Sequence, residues 1–240
     1  MSQIILYVRS IIFFLILVLS TIIWAIFCVG FFFLPYKTLY WLISRWNVFI
    51  IFVADFICKI KWEIKGKENL PNEPFIILSK HQSAWETIFF CRIIENPVIF
   101  VLKKELLSLP FFGWCLKMMQ MISIDRKQEI NAMRQITING KNSLKQGKVI
   151  VIFPEGSRVP FGEKGKYKTG GAILSIQTNT PIIPIALNSG KLWPKNSFLK
   201  NPGKITISIG KIIFPKDKTP KDLMNEVENW IEGEIKNLPS

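Results

Sequence analysis

The chain has 240 residues, 31 Lys+Arg against 17 Asp+Glu and a single His; 49% of it is hydrophobic and its mean hydropathy is +0.28. Nineteen Phe and eight Trp are too much apolar mass for intrinsic disorder. No further run of ~20 apolar residues follows residue 57, which excludes a polytopic transporter, and four Cys are too few for a disulfide scaffold.

Charge is unevenly spread. Residues 1–50 hold Arg9, Lys37 and Arg45 and no acid, whereas the remaining 190 hold 28 basic and 17 acidic side chains. This divides the chain into an apolar N-terminal segment, 1–58, and a basic globular domain, 59–240. Between Arg9 and Lys37 lie 27 uncharged residues. As a helix the stretch from Ile11 to Leu34 would be about 36 Å long, enough to cross a hydrocarbon layer of about 30 Å. No small-x-small cleavage site follows, so the segment reads as an anchor rather than a cleaved leader. A second apolar stretch, Thr38 to Ile57, carries Trp41, Arg45 and Trp46, residues that favour the headgroup level. Pro35 marks a bend between two helices. Two geometries fit: a full span followed by a surface helix, or a helical hairpin in one leaflet. Lys59, Lys61, Lys65 and Lys67 follow directly and favour the cytoplasm for the main domain.

Beyond residue 58, short runs rich in β-branched residues recur: Phe75–Leu78, Val98–Leu102, Met121–Ile124, Val149–Phe153, Ile182–Leu187 and Ile205–Ile209. Helical patterns lie between them, about Ala84–Glu95, Gln128–Gln146 and Thr169–Gln177. A last helix begins with Thr219 as N-cap and Pro220 at its first position. This alternation predicts an α/β domain with a mostly parallel sheet flanked by helices, its ligands at the carboxyl ends of the strands. Cys28, Cys58, Cys91 and Cys115 form no CxxC or Cys/His set, so they read as buried free thiols and no metal is implied.

Polar clusters fall where the strands end. His81, the only histidine, follows the first of them, and Glu86 comes five residues later. The two can touch only if His81 is on the loop and Glu86 in the first turn of the next helix. A neutral imidazole is poised to take a proton near pH 7, and a carboxylate on its other nitrogen would fix its tautomer. A structural His beside a helix-start Glu fits the same spacing. Ser83 and Ser157 lie near strand ends, but there is no G-x-S-x-G elbow. The most apolar strand leads into Pro154-Glu155-Gly156-Ser157-Arg158. There Gly156 permits an unusual backbone angle, Glu155 can accept from hydroxyls and Arg158 can grip a phosphate. Lys103-Lys104-Glu105-Leu106 and Asp125-Arg126 follow two more strands. Arg126 and Arg158 are two of only six arginines. Taken singly, each of these charges also fits an exposed loop.

In order along the chain stand His81-x4-Glu86, Lys104-Glu105-Leu106 with Pro110-Phe-x-Gly113-Trp114, Ile124-Asp125-Arg126, Phe153-Pro-Glu-Gly-Ser-Arg158 and Pro181-Ile-Ile-Pro-Ile185. This series resembles the glycerolipid acyltransferases, in particular the bacterial 1-acyl-sn-glycerol-3-phosphate acyltransferases, from about residue 60 to 215. The resemblance implies acyl transfer from a thioester, acyl-CoA or acyl carrier protein, to the sn-2 hydroxyl of lysophosphatidate. It implies a site at the cytoplasmic face of the bacterial inner membrane and no cofactor. His81 would be the base and Glu86 its partner. Lys104, Arg126 and Arg158 would hold the phosphate, with Glu155, Gly156 and Ser157 beside the glycerol. Pro181–Leu187 would line an acyl tunnel, though a plain core strand explains that stretch equally. The family pattern is His-x4-Asp; Glu86 keeps the charge with one methylene more of reach. Rival readings are another lysolipid acceptor, or a non-catalytic basic module on anionic lipid. Nucleic-acid binding lacks a recognition signature, and an anchor argues against it.

Overall fold

The computed structural model describes residues 2–125 and 128–239. Helices α1 (Gln3–Val29) and α2 (Tyr36–Cys58) come first. Pro35 caps α2 in an extended conformation and turns the chain back. The two helices pack antiparallel: Trp24 Nε1 donates to the Leu42 carbonyl at 3.2 Å and Trp46 Nε1 to Ser20 Oγ at 3.1 Å. Both are long and apolar enough to cross a membrane. They are not free-standing. Phe13 meets Trp193 edge-on at 5.1 Å, Ser10 Oγ accepts from the Lys200 amide at 3.0 Å, and Cys28 lies in a cluster with Met119. The hairpin is therefore fastened to the rest of the chain near both ends of α1.

Next come β1 (Ile60–Lys65), β2 (Ile76–Ser79), α3 (Trp85–Ile93), β3 (Val98–Lys103), α4 (Phe112–Met118), β4 (Ile122–Ile124) and α5 (Glu129–Lys145). They are followed by β5 (Val149–Ile152), α6 (Gly170–Thr178), β6 (Ile182–Leu187), β7 (Gly203–Ile209) and α7 (Pro220–Asn237). Among the described residues the strands form one seven-stranded sheet in the order β1-β7-β6-β2-β5-β3-β4. β6, β2, β5, β3 and β4 run parallel; β7 is antiparallel to β6 and carries β1 parallel to itself. The expected mostly parallel sheet is thus present.

Alternation within the strands makes two cores. Ile77, Val98, Val151 and Ile183 face α2, α3 and Phe13 of α1, whereas Ile76, Ile99, Ile150 and Ile182 face α5, α6 and α7. Because both faces are covered, the central strands are continuous apolar runs. All six residues of β6 are buried, as a core strand requires. α7 starts as its sequence signals: Thr219 Oγ1 accepts from the Asp222 amide at 3.2 Å, with Pro220 in the first turn.

The structure adds two elements to the sequence reading. β1 occupies the stretch whose lysines suggested a membrane flank. Its Ile60, Trp62 and Ile64 alternate with charged residues, and Lys61 pairs with Asp55 at 2.6 Å. α4 follows a γ-turn in which the Phe112 amide donates to the Pro110 carbonyl at 2.7 Å, with Phe111 at φ 63°.

Candidate active site

Five parallel strands bring five loops to one edge, in the spatial order β6, β2, β5, β3, β4. Strands stand about 4.8 Å apart, so the loops after β6 and β5 flank the loop after β2. His81 is in that central loop. The Val159 amide donates to the His81 carbonyl at 2.8 Å, which docks the Pro154–Arg158 loop directly against it. Lys104, after β3, is two strands from His81 and exposed; its ammonium pairs with Asp125 at 2.5 Å, which pushes the Lys104 pKa up. Arg126 lies outside the described residues.

Glu86 is in the first turn of α3 and fully buried. Its Oε1 accepts from His81 Nδ1 at 2.9 Å and from the amides of Gln82 and Ser83, each at 2.8 Å. Oε2 accepts from the hydroxyls of Ser83 and Ser189, each at 2.7 Å. Burial pushes the carboxyl pKa up, but the hydrogen bonds from His81, Ser83 and Ser189, with the attraction of the His81 ring, outweigh it and hold Glu86 below its ordinary value. An ionised carboxylate only accepts, so Nδ1 carries a proton, and whenever the ring is neutral it is Nε2 that presents the lone pair. The His81 side chain is 15% exposed. Its ring stacks on Phe153, from the end of β5, at 3.8 Å and 15°, so the plane of the imidazole is fixed as well as its tautomer. This arrangement can take a proton from a hydroxyl and steady the resulting imidazolium.

The remaining loop residues divide. Gly156 has φ 71°, a backbone conformation that favours glycine. Ser157 is exposed and Arg158 partly so. Glu155 requires a correction. Rather than facing ligand hydroxyls, its buried carboxylate accepts from Lys80 Nζ at 2.7 Å, from the Gly165 amide at 2.9 Å and from the His81 amide at 3.2 Å. Glu155 therefore holds the His81 backbone and its own loop.

Lys80 escaped the sequence reading. It is fully buried, and its ammonium also donates to Glu232 of α7 at 2.8 Å and to the Glu163 carbonyl at 3.0 Å. Tyr167 completes the cluster, donating to Glu232 at 2.7 Å. This charge network lies behind His81 and ties α7 to the strand end. Ser189 was missed too, although Asn188-Ser189-Gly190 is another polar cluster at the end of an apolar strand. Applied to β6, the rule that pointed to the other loops would have found it.

The acyltransferase family model matches residues 61–188, which contain His81, Glu86 and the Arg158 loop. The 1-acyl-sn-glycerol-3-phosphate acyltransferase of Pseudomonas aeruginosa is 38% identical over 231 residues, covering 93% of this chain and 89% of the relative. An enzyme of the same description from Borreliella burgdorferi is 27% identical, over 67% of this chain and 65% of its own. The crystal structure of the 1-acyl-sn-glycerophosphate (LPA) acyltransferase PlsC from Thermotoga maritima superposes with a TM-score of 0.83, covering 99% of this chain and 97% of that one at 21% identity, so the fold is shared. With the family model spanning more than half of the sequence and the Pseudomonas relative matching nearly all of it, the chain belongs to the acyltransferase family.

Proposed function

We propose that the protein transfers a fatty acyl group from a thioester, acyl-CoA or acyl carrier protein, to the sn-2 hydroxyl of 1-acyl-sn-glycerol 3-phosphate, giving phosphatidate for phospholipid synthesis. The observation that carries this reading is the His81–Glu86 pair at the carboxyl edge of the sheet, with Arg158 on the loop docked against it. His81 Nε2 takes the hydroxyl proton as the oxygen attacks the thioester carbonyl. The C–O bond forms, the tetrahedral intermediate expels the thiolate, and the C–S bond breaks. The imidazolium, steadied by Glu86, returns its proton to the leaving sulfur. No protein nucleophile is acylated, so both substrates bind together.

Arg158 and Arg126 hold the acceptor phosphate, with Lys104 further along the same edge; Gly156 and Ser157 shape the wall near the glycerol. α1 and α2 seat the site at the membrane, with the domain on the cytoplasmic face of the bacterial inner membrane. Of the two geometries for the hairpin, the contacts of Phe13 and Cys28 with the α/β domain favour one leaflet. A helix fastened to the domain near both ends cannot leave it to cross on its own.

An acceptor panel tests the reading. Arg158→Ala should lose about 10²-fold in kcat/KM on lysophosphatidate, as expected of a bidentate charged contact, and much less on a phosphate-free monoacylglycerol. Equal loss on both removes the phosphate role. Preference for another lysolipid over lysophosphatidate would reassign the acceptor.

A further inference from the structure

Ser189 lies 103 residues after Glu86 in sequence, and its hydroxyl reaches the dyad carboxylate directly, at 2.7 Å. The five donors on Glu86 come from His81, Gln82, Ser83 (twice) and Ser189. Among the described residues, Ser189 is thus the one donor from outside the loop that carries the dyad. Ser83 Oγ is already oriented, because it accepts from the Trp85 amide at 2.9 Å while donating to Glu86. Both residues are fully buried, so no water competes for the contact.

The turn that delivers Ser189 is itself held in register. Asn188 Oδ1 accepts from the Thr206 amide at 2.8 Å, and its Nδ2 donates to the Pro239 carbonyl at 2.9 Å. The Gly190 amide donates to Gln82 Oε1 at 3.1 Å. A Cβ on Gly190 would lie 2.8 Å from Gln82 Cβ, so this approach needs the glycine. Two successive residues of the β6 turn therefore grip the first turn of α3, at Glu86, and the loop before it, at Gln82.

Glu86 gives this grip a purpose. Compared with aspartate, glutamate has one more side-chain torsion to fix. The bonds from His81, Gln82 and Ser83 all come from one short loop, whereas Ser189 ties Oε2 to a separate element. We infer that Ser189 is a positioning residue that fixes the Glu86 carboxylate, and through it the tautomer of His81. The inference rests on the dyad serving as the base.

The chain has one histidine, so full-length protein labelled with ¹⁵N-histidine in detergent micelles gives a single imidazole spin system. The wild type should show the proton on Nδ1. Ser189→Ala should give mixed tautomers and a lost or fast-exchanging Nδ1 proton, and Ser189→Thr should restore the wild-type pattern. In thioester turnover, Ser189→Ala should lower kcat about tenfold, the scale of a hydrogen bond to a charged group, with each KM within about twofold. In a Glu86→Gln background the same change should cost less than about twofold. A Ser189→Ala protein with wild-type spectrum and kcat overturns the inference, as does an undiminished loss in the Glu86→Gln background. If Ser189→Ala does not fold, Ser189→Cys, a weaker donor of similar size, should give the same change in smaller measure, and a wild-type pattern there overturns it. A wild type that consumes no thioester with any acceptor defeats the proposed function instead, while the tautomer signal still tests the Ser189 contact.

Discussion

Replacing Glu86 by Gln removes one charge and almost no volume. The amide oxygen can keep the bonds to His81 Nδ1 and to the amides of Gln82 and Ser83, while the new NH₂ meets the Ser83 and Ser189 hydroxyls, which can rotate to accept. The fold should therefore survive, with a loss of about 1–2 kcal/mol from charge-assisted bonds becoming neutral. For a chain of this length that lowers Tm by about 2–8 °C. Catalysis should suffer far more. In the proposed mechanism the imidazolium would form 2.9 Å from a buried carboxylate oxygen. Unit charges about 4 Å apart in an effective dielectric of about 20 attract by about 4 kcal/mol, and each 1.36 kcal/mol is about tenfold in rate. Thioester consumption by purified protein should thus show kcat lower by up to about 10³-fold, with each KM within about threefold. A kcat within threefold of wild type, in a protein that melts normally, would refute the role assigned to Glu86.

Glu155→Gln should act on stability. It strips the fully buried Lys80 of one of its two carboxylates, and breaking such a pair costs about 3–5 kcal/mol. Because Glu232 remains, the lower figure applies and Tm should fall by about 6–12 °C; an unchanged Tm contradicts the network. The second expectation concerns pH. Glu86 is held below its ordinary pKa in the folded state, so its contribution to stability is complete above the unfolded value of about 4.3 and is lost as pH falls through the folded one. Urea unfolding from pH 6 downward should show stability declining below about pH 5, with a shallower decline in Glu86→Gln. Parallel slopes would mean that the carboxyl is unperturbed.

What could be read from the sequence follows from how local each signal is. The central strands were legible because burial on both faces writes them as continuous β-branched runs, and α7 because its Thr219-Pro220 start is a local cap. β1 was obscured: alternation of Ile60, Trp62 and Ile64 signals an edge strand, but its lysines also resemble a membrane flank. α4 begins on a γ-turn at Phe111, a conformation no propensity favours. In the site, His81 and Glu86 are five residues apart, so their pairing could be reasoned from a strand–loop–helix junction. Lys80 and Glu232 are 152 residues apart and Ser189 and Glu86 are 103. Only the tertiary fold brings those together, strand order for Ser189 and the packing of α7 on the sheet for Glu232. The same limit explains Glu155: its place in a strand-end loop suggested ligand contact, and a lysine buried behind the loop takes its carboxylate.

The central claim is that His81 is the base of a direct acyl transfer. Thioester release by purified full-length protein with lysophosphatidate measures it, wild type against His81→Ala, with the melting temperature as a control for folding. The wild type should turn over, and His81→Ala should lose about 10²–10⁴-fold, the scale of general-base catalysis, at a similar Tm. A folded His81→Ala protein that still transfers the acyl group at a comparable rate would contradict it.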